Sequence, residues 1–401
     1  MLPNLLNLYR AADRDSRAAL SDRHPPPRQE REAPGSTGYE HVVRRRIRGP
    51  PSRAGRLPLQ SCARSESMPR PKATSPKTSR LLGARKIRVR LPPVTEQSQL
   101  AEAGAVLPAY EVILVTYKSR SLVESLLSSL PADLPVAIID NASGADRMHE
   151  VLVGRTNTRY LDGRNAGFAG GANLGARTSD FDTVVFVNPD SSPSVEQLDS
   201  LVADLAADTR LAAVSAMTVL PNGQVEIGVG GWEPSVRRAF VHAFGAHKLF
   251  RTAGLWARPI PGPPIELDWI SGACLAVPRA TFLSLGGFDE SYFIYNEDVA
   301  YGRRVRDAGL KQRVRTDLLV PHLGGGSGAG KERMLQLRGA SLISYVRDHN
   351  SGSVTHGLRL LMTAGTLCRC VLFRLTGRAG QAQENVAYLR GMWVGPPDMS
   401  T

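Results

Sequence analysis

The sequence is poor in cysteine, and the little it has is scattered. Cys62, Cys274, Cys368 and Cys370 are four residues in 401, too few and too dispersed for a disulfide framework. The Cys368-Arg-Cys370 spacing is not a usual zinc or redox motif, and no Cys/His cluster lies beside it. Such usage predicts a reducing, cytoplasmic setting. Long apolar runs are missing too. No stretch reaches the roughly 18 uncharged apolar residues of a spanning helix. The first residues alternate apolar and charged, without the apolar region of a signal peptide. No P-loop or dinucleotide-binding glycine fingerprint is present.

Acidic residues are scarce only at the two ends. Residues 1–105 hold 21 Lys+Arg against 9 Asp+Glu, residues 106–330 hold 20 against 24, and residues 331–401 hold 9 against 4. The net charge of +13 therefore belongs to the flanks, and the slightly acidic middle argues against nucleic acid as the main partner. Residues 1–105 are rich in Pro, Arg and Ser, with runs such as Val43-Arg-Arg-Arg-Ile-Arg48. They cannot bury enough apolar surface to offset chain entropy, which predicts a disordered basic extension. A solvated tail, a nucleic-acid arm and a start codon placed too far upstream, with Met68 as the alternative start, all remain open.

Residues 106–330 read as one α/β domain. Val112-Ile-Leu-Val-Thr116, Val136-Ala-Ile-Ile139 and Thr183-Val-Val-Phe-Val187 are short β-branched runs of the kind buried in parallel sheets, and Tyr160-Leu161 is a weak further strand. Ser119 caps a predicted helix through about Leu130. Helices over 167–176, 194–207 and 297–308 alternate with strands near 212–217 and 268–278. Residues 221–265, rich in Gly and Pro, are expected to be a long, partly ordered loop. The alternation implies a parallel-rich sheet whose ligands sit outside the carboxyl ends of its strands. Thr116, Tyr117, Asp140, Asn141, Asn188 and Asp190 all fall there.

Several clusters carry chemistry. Asn188-Pro-Asp190 places oxygen ligands on a tight turn, which suits a hard divalent ion gripping a diphosphate, although these residues also favour a plain turn. Asn165-Ala-Gly-Phe168 opens a stretch of small residues that lets backbone approach a ligand at a helix N-terminus, and close helix packing would select the same residues. Glu297-Asp298 opens a helix, where acids stabilise the dipole without other purpose. The aromatic Tyr292-Phe-Ile-Tyr-Asn296 before it also suits a partly dry cleft with a general base. His322 is a structural histidine or, with Asp190, part of a metal shell.

Together these residues resemble family 2 glycosyltransferases. Val115-Thr-Tyr117, Asp140-Asn-Ala-Ser143, Asn165-Ala-Gly-Phe168, Asn188-Pro-Asp190, Trp269-Ile-Ser-Gly-Ala-Cys274, Gly286-Gly-Phe-Asp-Glu290 and Asn296-Glu-Asp-Val299 occur in the family's order. The set is most similar to the rhamnosyltransferase-like branch of cell-wall and surface-polysaccharide assembly, over roughly residues 110–350. The resemblance implies a GT-A fold (a Rossmann-like sheet for nucleotide-diphospho-sugars), an inverting mechanism and Mg²⁺ or Mn²⁺. It implies a nucleotide-sugar donor, best matched by dTDP-rhamnose, and a lipid-linked or polysaccharide acceptor. UDP-galactofuranose, UDP-N-acetylglucosamine or a hexose donor is the alternative, and a non-catalytic binding protein on this fold another. Thr116, Tyr117, Asp140 and Asn141 would hold the nucleoside, with Asp140 reaching the pyrimidine. Asn165, Gly167 and Phe168 would line the donor site. Asn188-Pro-Asp190 stands for the family's Asp-X-Asp, with Asp190 and His322 as metal ligands. Trp269 and Gly272 would shape the acceptor pocket, Asp298 would be the general base and Glu297 its neighbour. Ala300-Tyr301 departs from the branch, which usually has an acidic residue and Leu there.

Residues 331–401 are expected to be helical. The stretch 356–375 is mostly apolar but carries Arg359, Arg369 and Arg374, which describes an interfacial helix, or one packed on the domain, better than a spanning one. With a lipid-linked acceptor, that predicts a peripheral protein on the cytoplasmic face of the plasma membrane, touching the surface through 356–375.

Overall fold

The computed structural model describes residues 109–324 and 330–397. The expected N-terminal extension lies outside the described residues, as does most of the glycine-rich run after Leu323. In chain order the strands are β1 (Tyr110–Thr116), β2 (Val136–Asp140), β3 (Thr158–Asp162), β4 (Thr183–Val187), β5 (Leu211–Val219), β6 (Gly230–Gly231), β7 (Ile265–Glu266), β8 (Trp269–Ile270), β9 (Cys274–Pro278) and β10 (Lys311–Pro321). The α-helices are α1 (Arg120–Ser128), α2 (Gly167–Thr178), α3 (Val195–Ala207), α4 (Val236–Ala243), α5 (Arg279–Ser284), α6 (Glu297–Asp307), α7 (Lys331–His349), α8 (Gly352–Leu375) and α9 (Ala379–Val394).

Eight strands form one sheet in the order β3-β2-β1-β4-β9-β5-β10-β7, and β6 pairs with β8 in a two-stranded ribbon. The pairs β1–β2, β2–β3, β1–β4 and β5–β10 are parallel. β9 runs antiparallel between β4 and β5, which makes the sheet mixed. Alternation along β1 sends Val112 and Leu114 to one core with Leu126, Leu198 and Leu201, and Ile113 to the other with Ala172, Phe186 and Phe282. α2 lies flat on this second face because its glycines leave room. A Cβ on Gly171 would come within 2.8 Å of the Val115 side chain, and one on Gly175 within 2.7 Å of Ile113. This is the GT-A arrangement expected from the sequence, with a helical C-terminal region.

Two local expectations need correction. Ser119 occupies the N-cap position of α1, but its side chain makes no cap hydrogen bond. Its buried hydroxyl has no partner among the described residues, and its carbonyl instead accepts from the Leu122 and Val123 amides. The stretch 221–265 is not simply loop, since it contains β6, α4 and a short 3-10 turn at Ala246–Lys248. Ser235 caps α4 by accepting the Arg238 amide. The helix spans only eight residues inside a Gly- and Pro-rich stretch, too short for its period to stand out in the sequence; Ala239 and Ala243 face inward, while Arg237 and Phe240 are exposed.

Candidate active site

The carboxyl ends of β1, β2 and β4 meet at a shelf of polar groups. Thr116 ends β1 fully buried, its hydroxyl 3.4 Å from the Ile139 carbonyl. Tyr117 beside it is 36% exposed, with the Lys118 ammonium 5.3 Å from its ring centre. Asp140 is buried and accepts three hydrogen bonds. One carboxylate oxygen accepts the Ala142 amide at 2.8 Å, and the other accepts the Gly144 amide at 2.7 Å and the Tyr160 hydroxyl at 2.7 Å. Asp140 thus organises the turn beneath the shelf and keeps one carboxylate lone pair unspent. Asn141 donates to the Gly167 carbonyl at 2.9 Å, tying the end of β2 to the start of α2.

Asn165 and Gly167 lie at positive φ, +55° and +75°. Gly167 has no alternative, because a Cβ there would collide with the Phe293 carbonyl, which accepts the Phe168 amide at 2.9 Å. Phe168 reaches across to Gly272, where a Cβ would lie 3.0 Å from its ring. Gly272 thus shapes the pocket by leaving space. Trp269 does not line it. Its ring is 5% exposed, packs against Gly231 and donates to the Trp232 carbonyl at 3.2 Å, so it supports the pocket from behind.

The turn after β4 is clamped by backbone. The Asn188 amide donates to the Ala273 carbonyl, Ser192 to Pro321, and Leu323 to Asp190. A bridge between Ser191 and His322 completes the clamp. It brings the His322 Nε2 to 3.0 Å from Asp190 Oδ1, with both side chains about nine-tenths buried. On its other side, His322 Nδ1 lies 2.7 Å from Glu226 Oε2, which also accepts the Thr218 hydroxyl at 2.8 Å. Burial alone would lower the imidazole's pKa, but the Asp190 and Glu226 carboxylates overcome it and raise it to about 10. A carboxylate oxygen and an imidazole nitrogen this close fit a hard or borderline divalent ion. No group of three or more His, Cys, Asp or Glu among the described residues is arranged to hold one. The protein would supply two ligands, leaving the remaining positions to diphosphate oxygens and water.

The second pole is the start of α6. Tyr295 and Asn296 both sit at φ +69°, a left-handed pair that is costly for a tyrosine and turns the chain sharply into the helix. Glu297 is buried, and its Oε2 has no hydrogen-bond partner among the described residues. Burial, then the Asp298 charge, holds its carboxyl well above the usual range. Burial likewise pushes the Asp298 carboxyl up to about 6, against the pull of the Val299 amide that it accepts at 2.8 Å.

Tyr295, just before α6, is partly buried. Its hydroxyl, raised mainly by burial, also feels the Glu297, Glu226 and Asp190 carboxylates, and the Arg338 guanidinium lies 4.9 Å over its ring. Sequence reasoning missed Glu226, Thr218, Tyr295 and Arg338. Of these only the aromatic run at Tyr295 left a trace. Behind the site, Glu233 accepts from Arg303 and Arg306 of α6 and from the Tyr345 hydroxyl of α7. That ion-pair cluster locks the catalytic helix to the C-terminal helices.

Residues 111–241 match the model of Glycosyl transferase family 2. The N-acetylglucosaminyl-diphospho-decaprenol L-rhamnosyltransferase of Mycobacterium tuberculosis H37Rv is 30% identical over 268 residues, 62% of this chain and 86% of that protein. The low-salt glycan biosynthesis hexosyltransferase Agl10 of Haloferax volcanii is 26% identical over 209 residues, 50% of this chain and 62% of that protein. Among solved structures, a mannosyltransferase from Pyrobaculum calidifontis in complex with GDP-mannose and Mn²⁺ aligns at a TM-score of 0.46 and 16% identity, over 72% of this chain and 88% of that one. The chain belongs to Glycosyl transferase family 2 and is a glycosyltransferase.

Proposed function

We propose that this enzyme transfers rhamnose from dTDP-rhamnose to a lipid-linked acceptor, inverting the anomeric carbon in one displacement with Asp298 as general base. The observation that carries the reading is the Asp190–His322 pair, 3.0 Å apart at the turn after β4, in a chain that places Glu297 and Asp298 in the first turn of α6. The name of the Mycobacterium relative supports the choice of sugar and of a lipid-linked acceptor.

In this reading Thr116, Tyr117 and the Asp140–Asn141 turn seat the nucleoside, while Asn165, Gly167 and Phe168 close over the sugar. Asp190 and His322 would hold Mg²⁺ or Mn²⁺, and Asn188 would face the donor beside them. When bound, such an ion neutralises charge on the leaving nucleoside diphosphate. Asp298 takes the proton from the acceptor hydroxyl as its oxygen attacks the anomeric carbon, and the bond from that carbon to the diphosphate oxygen breaks. Glu297, whose carboxyl is held well above its ordinary range by burial and the Asp298 charge, stands beside the base. Gly272 leaves room for the acceptor beside Phe168.

Asp298→Asn preserves shape and removes the base. Donor affinity is expected to stay within a few-fold while turnover falls about 10²–10⁴-fold. Calorimetry with dTDP and a product assay over a panel of nucleotide sugars with Mg²⁺ or Mn²⁺ read both quantities. Near-normal turnover in the variant rules out Asp298 as base. Selective use of UDP-galactofuranose, UDP-N-acetylglucosamine or a hexose donor replaces the sugar and leaves the rest of the reading standing.

A further inference from the structure

Of the 18 large apolar side chains exposed among the described residues, seven lie between Ile227 and Ile260 and four more on α8. They form a pattern. Phe240 and Phe244, one turn apart across the end of α4, are each 55% exposed with ring centres 4.8 Å apart, and Leu249 and Phe250 follow at 69% and 63%. On α8 the exposed residues Leu360, Ala364, Leu367, Val371 and Leu375 recur at steps of three and four, a continuous apolar stripe. The opposite face of α8 is buried through Leu358, Met362, Thr366 and Cys370.

α4 and α8 form one surface. Val236 lies 3.6 Å from where a Cβ on Gly357 would sit, and a Cβ on Gly365 would come within 2.6 Å of the Ala243 Cα. The helices therefore run side by side in the same direction, close enough to need the glycines. Beside this surface, Lys248, Arg251 and Arg258 with Ile227 and Ile260 line a cleft whose lining also includes Glu226, the partner of His322.

The charge on this surface has one sign. Residues 234–265 contain five Lys+Arg and no Asp or Glu, and α8 contains three Arg and no acid. A second copy would bring the same basic face against it, and the chain's own residues 1–105 are themselves strongly basic, so both are repelled. The cleft's one acid, Glu226, is held by His322 and Thr218, and an apolar face with this basic surround matches an anionic bilayer surface. No described helix is long and apolar enough to cross a membrane, and this surface needs none.

We propose that α4, the segment following it and the outer stripe of α8 dock the enzyme on anionic phospholipid. Phe240, Phe244, Leu249 and Phe250 enter the interface, and Lys248 and Arg251 at the cleft take lipid phosphates. The expected contact through 356–375 is thereby extended to residues 236–251, which carry the aromatic anchors. The docking requires no donor, metal or acceptor, so it stands or falls apart from the proposed reaction.

Flotation of the full chain with vesicles of phosphatidylcholine alone, or mixed with phosphatidylglycerol, tests it. The wild type should float with the mixed vesicles, weaken as salt rises, and bind phosphatidylcholine poorly. The double variant F240S/F244S should bind at least about tenfold more weakly, and Lys248→Ala or Arg251→Ala about fivefold each. Val153→Ser removes an apolar side chain that is 83% exposed elsewhere and should change nothing. Because the substituted side chains are exposed, thermal melts of all variants should match the wild type. Equal flotation of wild type and F240S/F244S overturns the proposal, as does equal binding to both vesicle types. So does self-association in light scattering that disappears in F240S/F244S without vesicle binding, or a cleft that binds inorganic phosphate in a protein that does not float.

Discussion

Glu226 touches no expected substrate, yet the structure gives it a measurable task. Its Oε2 lies 2.7 Å from His322 Nδ1 and is itself fixed by the Thr218 hydroxyl at 2.8 Å. The imidazole is thus oriented with Nε2 towards Asp190, 3.0 Å away. A carboxylate behind a metal-binding histidine fixes its tautomer and raises its basicity, and losing such a partner typically lowers metal affinity about 10–100-fold. That corresponds to roughly 1.4–2.7 kcal/mol. Glu226→Gln keeps the size and one acceptor oxygen but removes the charge, so a loss near tenfold is expected. Thr218→Val, which only loosens Glu226, should lose less. Titration of the protein with Mn²⁺ in the presence of dTDP, following free Mn²⁺ by electron paramagnetic resonance, reads affinity without turnover. The same titration should show tighter binding as pH rises, since the ion displaces the His322 proton. Mn²⁺ affinity in Glu226→Gln within twofold of wild type would refute the orienting role.

Two further perturbations probe the other half of the site. With Asp298 raised to about 6 and required ionised, kcat/KM should fall as pH drops through about 6. Glu297→Gln keeps the neighbour's size and removes its carboxylate, so with Asp298 as the base it should keep turnover within a few-fold at neutral pH and leave the acidic limb in place. A pH–rate profile checks both, and a limb near 4 would show that burial does not set the Asp298 proton affinity. Gly167→Ala forces a Cβ into the Phe293 carbonyl at φ +75°, which should cost on the order of 2–3 kcal/mol in denaturant unfolding. Wild-type stability in that variant would mean the α2 start can relax, and with it the donor shelf.

How much of this was legible in the sequence depended on where each residue's meaning lies. β1, β2 and β4 announce themselves because both faces of the strand are buried, leaving β-branched runs that end on polar residues. The two-residue strands β6, β7 and β8 carry no such period. α4 was hidden because it spans only eight residues among glycines and prolines that read as loop. Asp190, Glu297, Asp298 and His322 stood out through their positions at strand and helix ends, which chain order alone can suggest. Glu226 could not, because it is a lone acid in a glycine-rich stretch whose partner His322 is 96 residues away. Trp269 misled in the opposite sense: a tryptophan in a motif suggests a pocket wall, but its ring supplies the buried support on which β6 and β8 close. Asp140 and Trp269 make the same physical point. A motif identifies which side chains gather at a site, whereas the bonds each has already spent decide whether it can reach a ligand or only hold the site in shape.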